Sequence, residues 1–233
     1  DGDTDFVAGN TGENSFFSNN DRHPINSYFN DFDKNGTFET VTTKYLKDKD
    51  GAYKEYTAAS RDEVVDQMPF IKKKFLTYKS FATADAEDIF GKDALQKSLK
   101  LHAGYFASSY VQNLGNGKFS ITPLPAMAQL APVCAISVAD FDNDNKLDVM
   151  IAGNNYGAEV FNGRMDAMNG MLLKGNGKGH FTLLPPESSG IYLPGQVNAV
   201  TIIKNIFGDL LFAACENNSA LKLYVKNKIN KDK

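Results

Sequence analysis

Short runs in which apolar and polar residues alternate, each closed by Asn, Gly or Asp, recur along most of the chain. This pattern predicts strands over 5–10, 28–30, 39–46, 53–58, 105–112, 118–122 and 134–139. It predicts further strands over 147–152, 170–174, 180–184, 198–203, 209–215 and 220–225. Successive side chains of a strand point to opposite faces, so a period of two marks a half-buried strand. Strands this short, with turn residues between them, predict an all-β sandwich, barrel or propeller.

One stretch departs from the alternation. Residues 60–102 are rich in Lys, Ala, Asp and Glu. Ser60-Arg61-Asp62-Glu63 has the form of a capping box, in which the Ser hydroxyl and the Glu carboxylate each accept a bond from the other residue's amide. Val64, Val65 and Met68 continue it as an apolar stripe, and Phe70, Ile71 and Phe75 form another after Pro69. Two more short helices are predicted over 85–90 and 93–101, with Gly91 as the stop between them. The segment is expected to be a helical insertion within a β unit.

An internal repeat narrows the fold. Ala135-Ile136-Ser137-Val138-Ala139 matches Ala199-Val200-Thr201-Ile202-Ile203 at an offset of 64, and Asp148 to Ala152 matches Asp209 to Ala213 at an offset of 61. Two Asn-Gly turns, Leu114-Gly115-Asn116-Gly117-Lys118-Phe119 and Lys174-Gly175-Asn176-Gly177, also correspond. Their central pair is expected to supply the positive φ angles of tight hairpins. A unit of about 60 residues with four short strands is a propeller blade. Without the insertion, about 190 residues remain, enough for roughly three to four four-stranded blades. Residues 1–233 are therefore expected to be part of one larger propeller domain.

Composition removes several function classes. The net charge of −3, from 25 basic and 28 acidic residues, is too balanced for a dedicated nucleic-acid binder. No apolar run approaches the roughly 18 residues of a transmembrane segment, and no secretory leader opens the sequence. Cys134 and Cys215 lie in apolar runs and are expected to be buried free thiols. Three histidines and no tryptophan leave few parts for zinc or imidazole chemistry.

The sharpest motif is Asp140-Phe141-Asp142-Asn143-Asp144-Asn145-Lys146-Leu147-Asp148. Asp140, Asp142, Asp144 and Asp148 fall at relative positions 1, 3, 5 and 9, and Lys146 at position 7 can offer its carbonyl. In a loop coiled around a cation, alternate residues point inward. Several hard oxygens and no His or Cys suit Ca²⁺ over Zn²⁺, and Mg²⁺ demands a stricter octahedron. Position 12 is Ile151 and the flanks are strands, so this is not an EF-hand. A second copy runs from Asp31 through Asp33, Asn35 and the Thr37 carbonyl to Glu39, with Gly36 for the sharp turn. A truncated third copy places Asp1 at position 5, Asp3 at position 7 and Asp5 at position 9. The corresponding place in the last repeat carries Lys204 and Asn205, with Asp209 alone remaining, and is expected to hold no metal. Glu159, Arg164 and Asp166 in the long loop 154–169 are weaker candidates, for binding or for local hydrogen bonding.

Asp140-Phe141-Asp142-Asn143-Asp144 followed by Leu147-Asp148 and Ala152-Gly153-Asn154 resembles the FG-GAP/VCBS repeat of integrin α-subunit propellers, and Asp5-Phe6-Val7-Ala8-Gly9-Asn10 resembles the same element. The whole chain is similar to the C-terminal part of cartilage-acidic-protein/UnbV-like VCBS-repeat proteins of Bacteroidetes-type bacteria. The stretches that carry this include Gln67-Met68-Pro69-Phe70-Ile71 and Gly163-Arg164-Met165-Asp166-Ala167. The resemblance implies a seven-bladed propeller, calcium in the acidic loops, and export to the cell surface or envelope, often as a lipoprotein.

The expected function is a non-enzymatic, calcium-stabilised module that binds a protein or glycan ligand at the cell surface. Two rivals stand beside it: an accessory subunit of an outer-membrane uptake or assembly complex, and a glycan-active enzyme using loops on one propeller face.

Overall fold

A computed structural model of the chain describes residues 2–17, 22–158, 163–206 and 210–225. Its strands are β1 (Phe6–Ala8), β2 (Ile25–Asn30), β3 (Glu39–Lys47), β4 (Tyr53–Thr57), β5 (Leu99–Ala103), β6 (Ser109–Asn113) and β7 (Phe119–Pro123). They continue as β8 (Val133–Ala139), β9 (Asp148–Gly153), β10 (Met171–Gly175), β11 (Phe181–Leu184), β12 (Val197–Lys204), β13 (Leu210–Glu216) and β14 (Lys222–Val225). The helices are α1 (Arg61–Gln67), α2 (Ile71–Lys74), α3 (Tyr78–Ala82), α4 (Ala86–Phe90), α5 (Lys92–Lys97) and α6 (Pro186–Ser189). Among the described residues the fold is mostly β, in four antiparallel sheets, and no sheet closes on itself.

The chain divides into two compact units. The first comprises Asp1–Phe16 and Phe106–Lys233, and the second is Phe17–Tyr105. Phe17–Tyr105 falls between β1 and β6 and brings its own sheet, and the helices α1 to α5 lie between β4 and β5 of that sheet.

In the second unit the sheet order is β4-β3-β2-β5. The capping box forms as expected: Glu63 N donates to Ser60 Oγ, and Ser60 N donates to Glu63 Oε2 at 2.6 Å. Val64, Met68, Ile71, Phe75, Phe81, Ile89 and Leu95 bury the helices' inner faces in one cluster with Tyr28 and Val41 of the sheet. Gly91, at φ 87°, ends α4. The helix expected over 93–101 stops at Lys97, and Leu99–Ala103 is a strand paired with β2, Leu99 opposite Phe29 and Ala103 opposite Ile25. Leu99-Lys100-Leu101-His102 alternates with period two, which suits a strand and not a helix face.

The first unit contains three sheets: β1-β6-β7, β11-β10-β9-β8 and β12-β13-β14. The four-stranded sheet lies between the other two. One of its faces (Val149, Ile151 and Leu173) meets Val7 and Tyr110. Its other face (Met150 and Leu172, with Phe141) meets Val200, Ile202 and Phe212. Every residue of β9 is buried. Burial on both faces explains why β9 reads as an apolar run without alternation.

The repeat is visible in the pairing, with one correction. β8 and β12 keep the offset of 64, and each has a register shift, between Val133 and Ala135 and between Val197 and Ala199. On the second strands, however, Ala152 faces Ala135 while Cys215 faces Ala199, an offset of 63 (215 − 152) instead of 61. Asp148 therefore corresponds to Leu211, while Asp209 lies outside the described residues. Cys134 and Cys215, expected to be buried, are exposed.

The first Asn-Gly turn has positive φ at Gly115, Asn116 and Gly117, as expected. In the second turn the positive angles fall on Gly177 and Gly179 instead. There the Asn176 carbonyl oxygen Oδ1 accepts from the amides of Lys178 (2.8 Å) and His180 (3.2 Å), a side-chain turn in place of a strained backbone. Close backbone approach fixes two other glycines. A Cβ on Gly153 would lie 1.8 Å from the Pro132 carbonyl oxygen, and one on Gly9 would lie 2.2 Å from that of Val133.

Candidate functional site: two acidic loops with one architecture

The loops 31–39 and 140–148 each join the first two strands of a hairpin, β2 to β3 and β8 to β9. Their backbones are held by the same bonds. In the first, Asp31 accepts from the amides of Asn35 (Oδ1, 2.9 Å) and Gly36 (Oδ2, 2.9 Å), and Asp33 Oδ1 accepts from Asn35 N at 3.1 Å. Asn35 Oδ1 accepts from Thr37 N at 2.7 Å, and Glu39 Oε2 accepts from Phe32 N at 2.9 Å. In the second, Asp140 accepts from the amides of Asp144 (Oδ1, 3.1 Å) and Asn145 (Oδ2, 2.9 Å), and Asp142 Oδ1 accepts from Asp144 N at 3.2 Å. Asp144 Oδ1 accepts from Lys146 N at 2.9 Å, and Asp148 Oδ2 accepts from Phe141 N at 3.1 Å.

Each bond links the same relative positions in both loops. Short Asp and Asn side chains reach amides two, four and five residues on, so the spacing of acids dictates the coil of the backbone. Positive φ falls at position 6, on Gly36 (89°) and Asn145 (64°), as expected. It also falls at position 4, on Lys34 (60°) and Asn143 (63°), which sequence reasoning did not anticipate. Nothing lies within 4 Å of a Cβ at Gly36, so glycine there serves conformation and not space.

The acids converge. Carboxylate oxygens of Asp31, Asp33 and Glu39 lie within 4.8 Å of one another, as do those of Asp140, Asp142 and Asp144. Three hard oxygens so close are a donor set for a hard divalent cation, with backbone carbonyls or water to complete the shell. Asp148 stands apart from this set. Both its oxygens serve the backbone, Oδ2 toward Phe141 N and Oδ1 toward Gly175 N at 2.9 Å, and it is buried. Glu39, at the same position of the first loop, is buried but stays within its set.

The truncated third copy keeps the same closing contact. Asp5 Oδ1 accepts from Asn113 N at 2.8 Å, as Asp148 Oδ1 accepts from Gly175 N. Each acceptor precedes the first residue paired with the neighbouring strand, Phe6 opposite Val111 and Val149 opposite Leu173. The other oxygen of Asp5 accepts from the Tyr110 hydroxyl. That bond, followed by the Asn113 amide, lowers the Asp5 carboxyl below its ordinary range. Burial first, then the bond to Asp5, pushes the Tyr110 hydroxyl up to about 12. Asp1 lies outside the described residues, and Asp3 belongs to neither set of converging acids.

The loops differ in one respect that sequence reasoning missed. Lys174 of β10 reaches Asp142 and Asp144, its Nζ 3.0 Å from Asp144 Oδ2, and Lys146 Nζ lies 3.6 Å from the same oxygen. Among the described residues no ion pair involves Asp31, Asp33 or Glu39. Lys174 is raised above the ordinary lysine range, chiefly by its bonds to Asp142 and Asp144, and Asp144 is lowered, chiefly by Lys174. A cross-strand neighbour leaves no mark in the spacing of a single loop.

Described residues of the long loop are tied to their surroundings. Asn154, fully buried, donates to the carbonyls of Met168 (2.7 Å) and Gly195 (3.0 Å) and accepts from Met168 N at 2.9 Å. The Arg164 guanidinium stacks 3.9 Å over the Tyr156 ring. Glu159 lies outside the described residues.

No protein-family model, curated protein or solved structure matches the chain. No helix among the described residues is long and apolar enough to cross a membrane.

Proposed function

We propose that the chain is a calcium-binding arc of a β-propeller of the FG-GAP/VCBS type, acting as an interaction module at the cell surface. The observation that carries this reading is the identity of the hydrogen-bond pattern in loops 31–39 and 140–148. The shared spacing of acids dictates the five common side-chain-to-backbone bonds, but it does not say why two loops keep that spacing. A common ligand geometry does give that reason. Asp31, Asp33, Asn35 and Glu39 would hold one Ca²⁺, with the carbonyl of Thr37. Asp140, Asp142 and Asp144 would hold another, with the carbonyl of Lys146, and Asp148 would shape the loop from behind or join the shell after releasing an amide. The stack of three antiparallel sheets in the first unit supports the blade reading.

The ion's role is structural. Converging carboxylates repel one another and oppose folding until a cation neutralises them. Extracellular modules bind calcium with dissociation constants of about 0.1–1 mM, which millimolar calcium fills. Partial to near-full occupancy by linkage would stabilise the fold by about 1–2 kcal/mol per site. Thermal unfolding in 2 mM calcium against excess chelator tests this. The melting temperature should rise with calcium, and isothermal titration should count two sites. A midpoint that ignores both calcium and chelator would overturn the reading.

A further inference from the structure

Loops 31–39 and 140–148 also correspond in what their second residue touches. The closing pairs of the two hairpins, Asn30 opposite Glu39 and Ala139 opposite Asp148, fix the equivalence of the flanking strands. Phe32, Tyr28 and Val41 then correspond to Phe141, Ser137 and Met150. Phe141 and Met150 meet the following sheet, with the Phe141 ring 5.3 Å from that of Phe212. In the second unit the equivalent face receives helices instead. Phe32, Tyr28 and Val41 cluster with Ile89, Phe90 and Leu95, and the Phe32 ring lies 5.4 Å from that of Phe90. Helices α4 and α5 thus cover, within one unit, the face that a sheet covers in the other.

A second contact has no counterpart in loop 140–148. Asn30 Oδ1 accepts from Asp31 N at 3.0 Å, and Asn30 Nδ2 donates to the Ala94 carbonyl of α5 at 3.0 Å. That carbonyl is among the last four of its helix, which have no amide of the helix to accept from. The equivalent of Asn30 is Ala139, which has no side-chain amide to offer. Phe32 is held as well, its amide donating to Glu39 Oε2 at 2.9 Å. Asp31 and Glu39 belong to the converging set of acids. Each is therefore one hydrogen bond from a residue that touches α4 or α5.

We infer that loop 31–39 governs the seating of α4 and α5. A cation that fixes Asp31, Asp33 and Glu39 also fixes Phe32 and Asn30, and with them Phe90 of α4 and the Ala94 carbonyl of α5. The inference rests on the calcium reading above. Helices of five and six residues have little stability of their own, so their order depends on such contacts. An opening of α4 and α5 that displaces Phe32 and Asn30 spoils the donor set. Calcium binds the closed arrangement and so opposes that opening.

Hydrogen exchange of the full chain, followed by mass spectrometry in 2 mM calcium and in excess chelator, tests the inference. Peptides over 86–97 should exchange about three- to twentyfold more slowly with calcium, the factor expected for dissociation constants of about 0.1–1 mM. Asp33→Asn keeps an acceptor for the Asn35 amide but removes a charge from the donor set. It should lose most of that slowing, whereas Asp142→Asn should keep it. Asn30→Ala removes the link and none of the acids. Calorimetry of that variant should still count two sites, while the slowing over 92–97 shrinks. Two sites in the parent chain, with equal exchange over 86–97 in calcium and chelator, would overturn the inference and leave the metal reading standing. So would a slowing that persists in full in Asp33→Asn, or one no larger over 86–97 than over β8 to β11. No calcium site at all would overturn both.

Discussion

The ammonium of Lys174 lies 3.0 Å from the carboxylate of Asp144 and also bonds Asp142, across the strands β9 and β10 from the loop it neutralises. A cation entering loop 140–148 has to displace that ammonium or share the acids with it. Loop 31–39 imposes no such competition among the described residues. The two loops, alike in backbone, should therefore differ in calcium affinity, with 31–39 the tighter.

Lys174→Met removes the competing charge while keeping the length of the side chain. Calcium titration of the variant should show the weaker site tightened by about two- to fivefold, the scale of an exposed ion pair. The stronger site should be unchanged. Without calcium the variant should melt lower than the parent, because only Lys146 then offsets the repulsion of Asp142 and Asp144. An affinity change at both sites would refute the assignment of Lys174 to one loop.

Tyr110 makes a pH prediction. Its hydroxyl is raised from the ordinary 10 to about 12 by burial and by the bond to Asp5. The protonated form is the one the fold favours, so its contribution is complete below pH 10 and is lost as pH rises through about 12. Urea midpoints of the parent and Tyr110→Phe should differ at pH 8 and converge toward pH 12. At pH 8 the variant should be less stable by about 1 kcal/mol. A gap that stays constant over that range would show that Tyr110 acts by packing alone.

Gly153→Ala would press a methyl group to 1.8 Å from the Pro132 carbonyl oxygen, which is backbone and cannot swing aside. The cost should be about 1–3 kcal/mol, read by chemical denaturation. Gly36→Ala meets no neighbour, so its cost should be only the strain of a positive φ, about 1 kcal/mol. If the two variants cost the same, steric approach is not what holds Gly153.

Asn145→Gly should be neutral or stabilising by a few tenths of a kcal/mol, because position 6 holds φ 64° and glycine adopts that angle freely. Calcium binding at that loop should persist, since Asn145 contributes its amide to Asp140 and glycine keeps it. Loss of binding in Asn145→Gly would point to a ligand role for the Asn145 side chain.

What was legible in the sequence was what acts over a few residues. Strands announced themselves where one face is solvated, and the loops did so because Asp31 and Asp140 bond amides four and five residues on. The capping box at Ser60 is local in the same sense. Contacts between distant residues left no such trace. The helix expected over 93–101 takes in Leu99 to Leu101 because Asp93 to Lys97 precedes them in the right pattern, and only the pairing with β2 decides the matter. The 61-residue match of Asp148 with Asp209 followed an acid-and-apolar pattern that the register opposite Ala199 overrules. Lys174 reaches its acids from a neighbouring strand, and no spacing rule reports that.

The insertion between β1 and β6 has a consequence for the order of folding. Phe6 pairs with Val111 only after Phe17–Tyr105 has been made and set aside. The entropy of closing so long a connection grows slowly with its length, yet contacts of such sequence separation slow folding. A second unit that condenses early shortens the effective connection to the distance between its own ends. During synthesis β1 would wait, edge exposed, while that unit collapses on Met68 and Ile89. A lesion in its helical core would then delay a hairpin in which it takes no part.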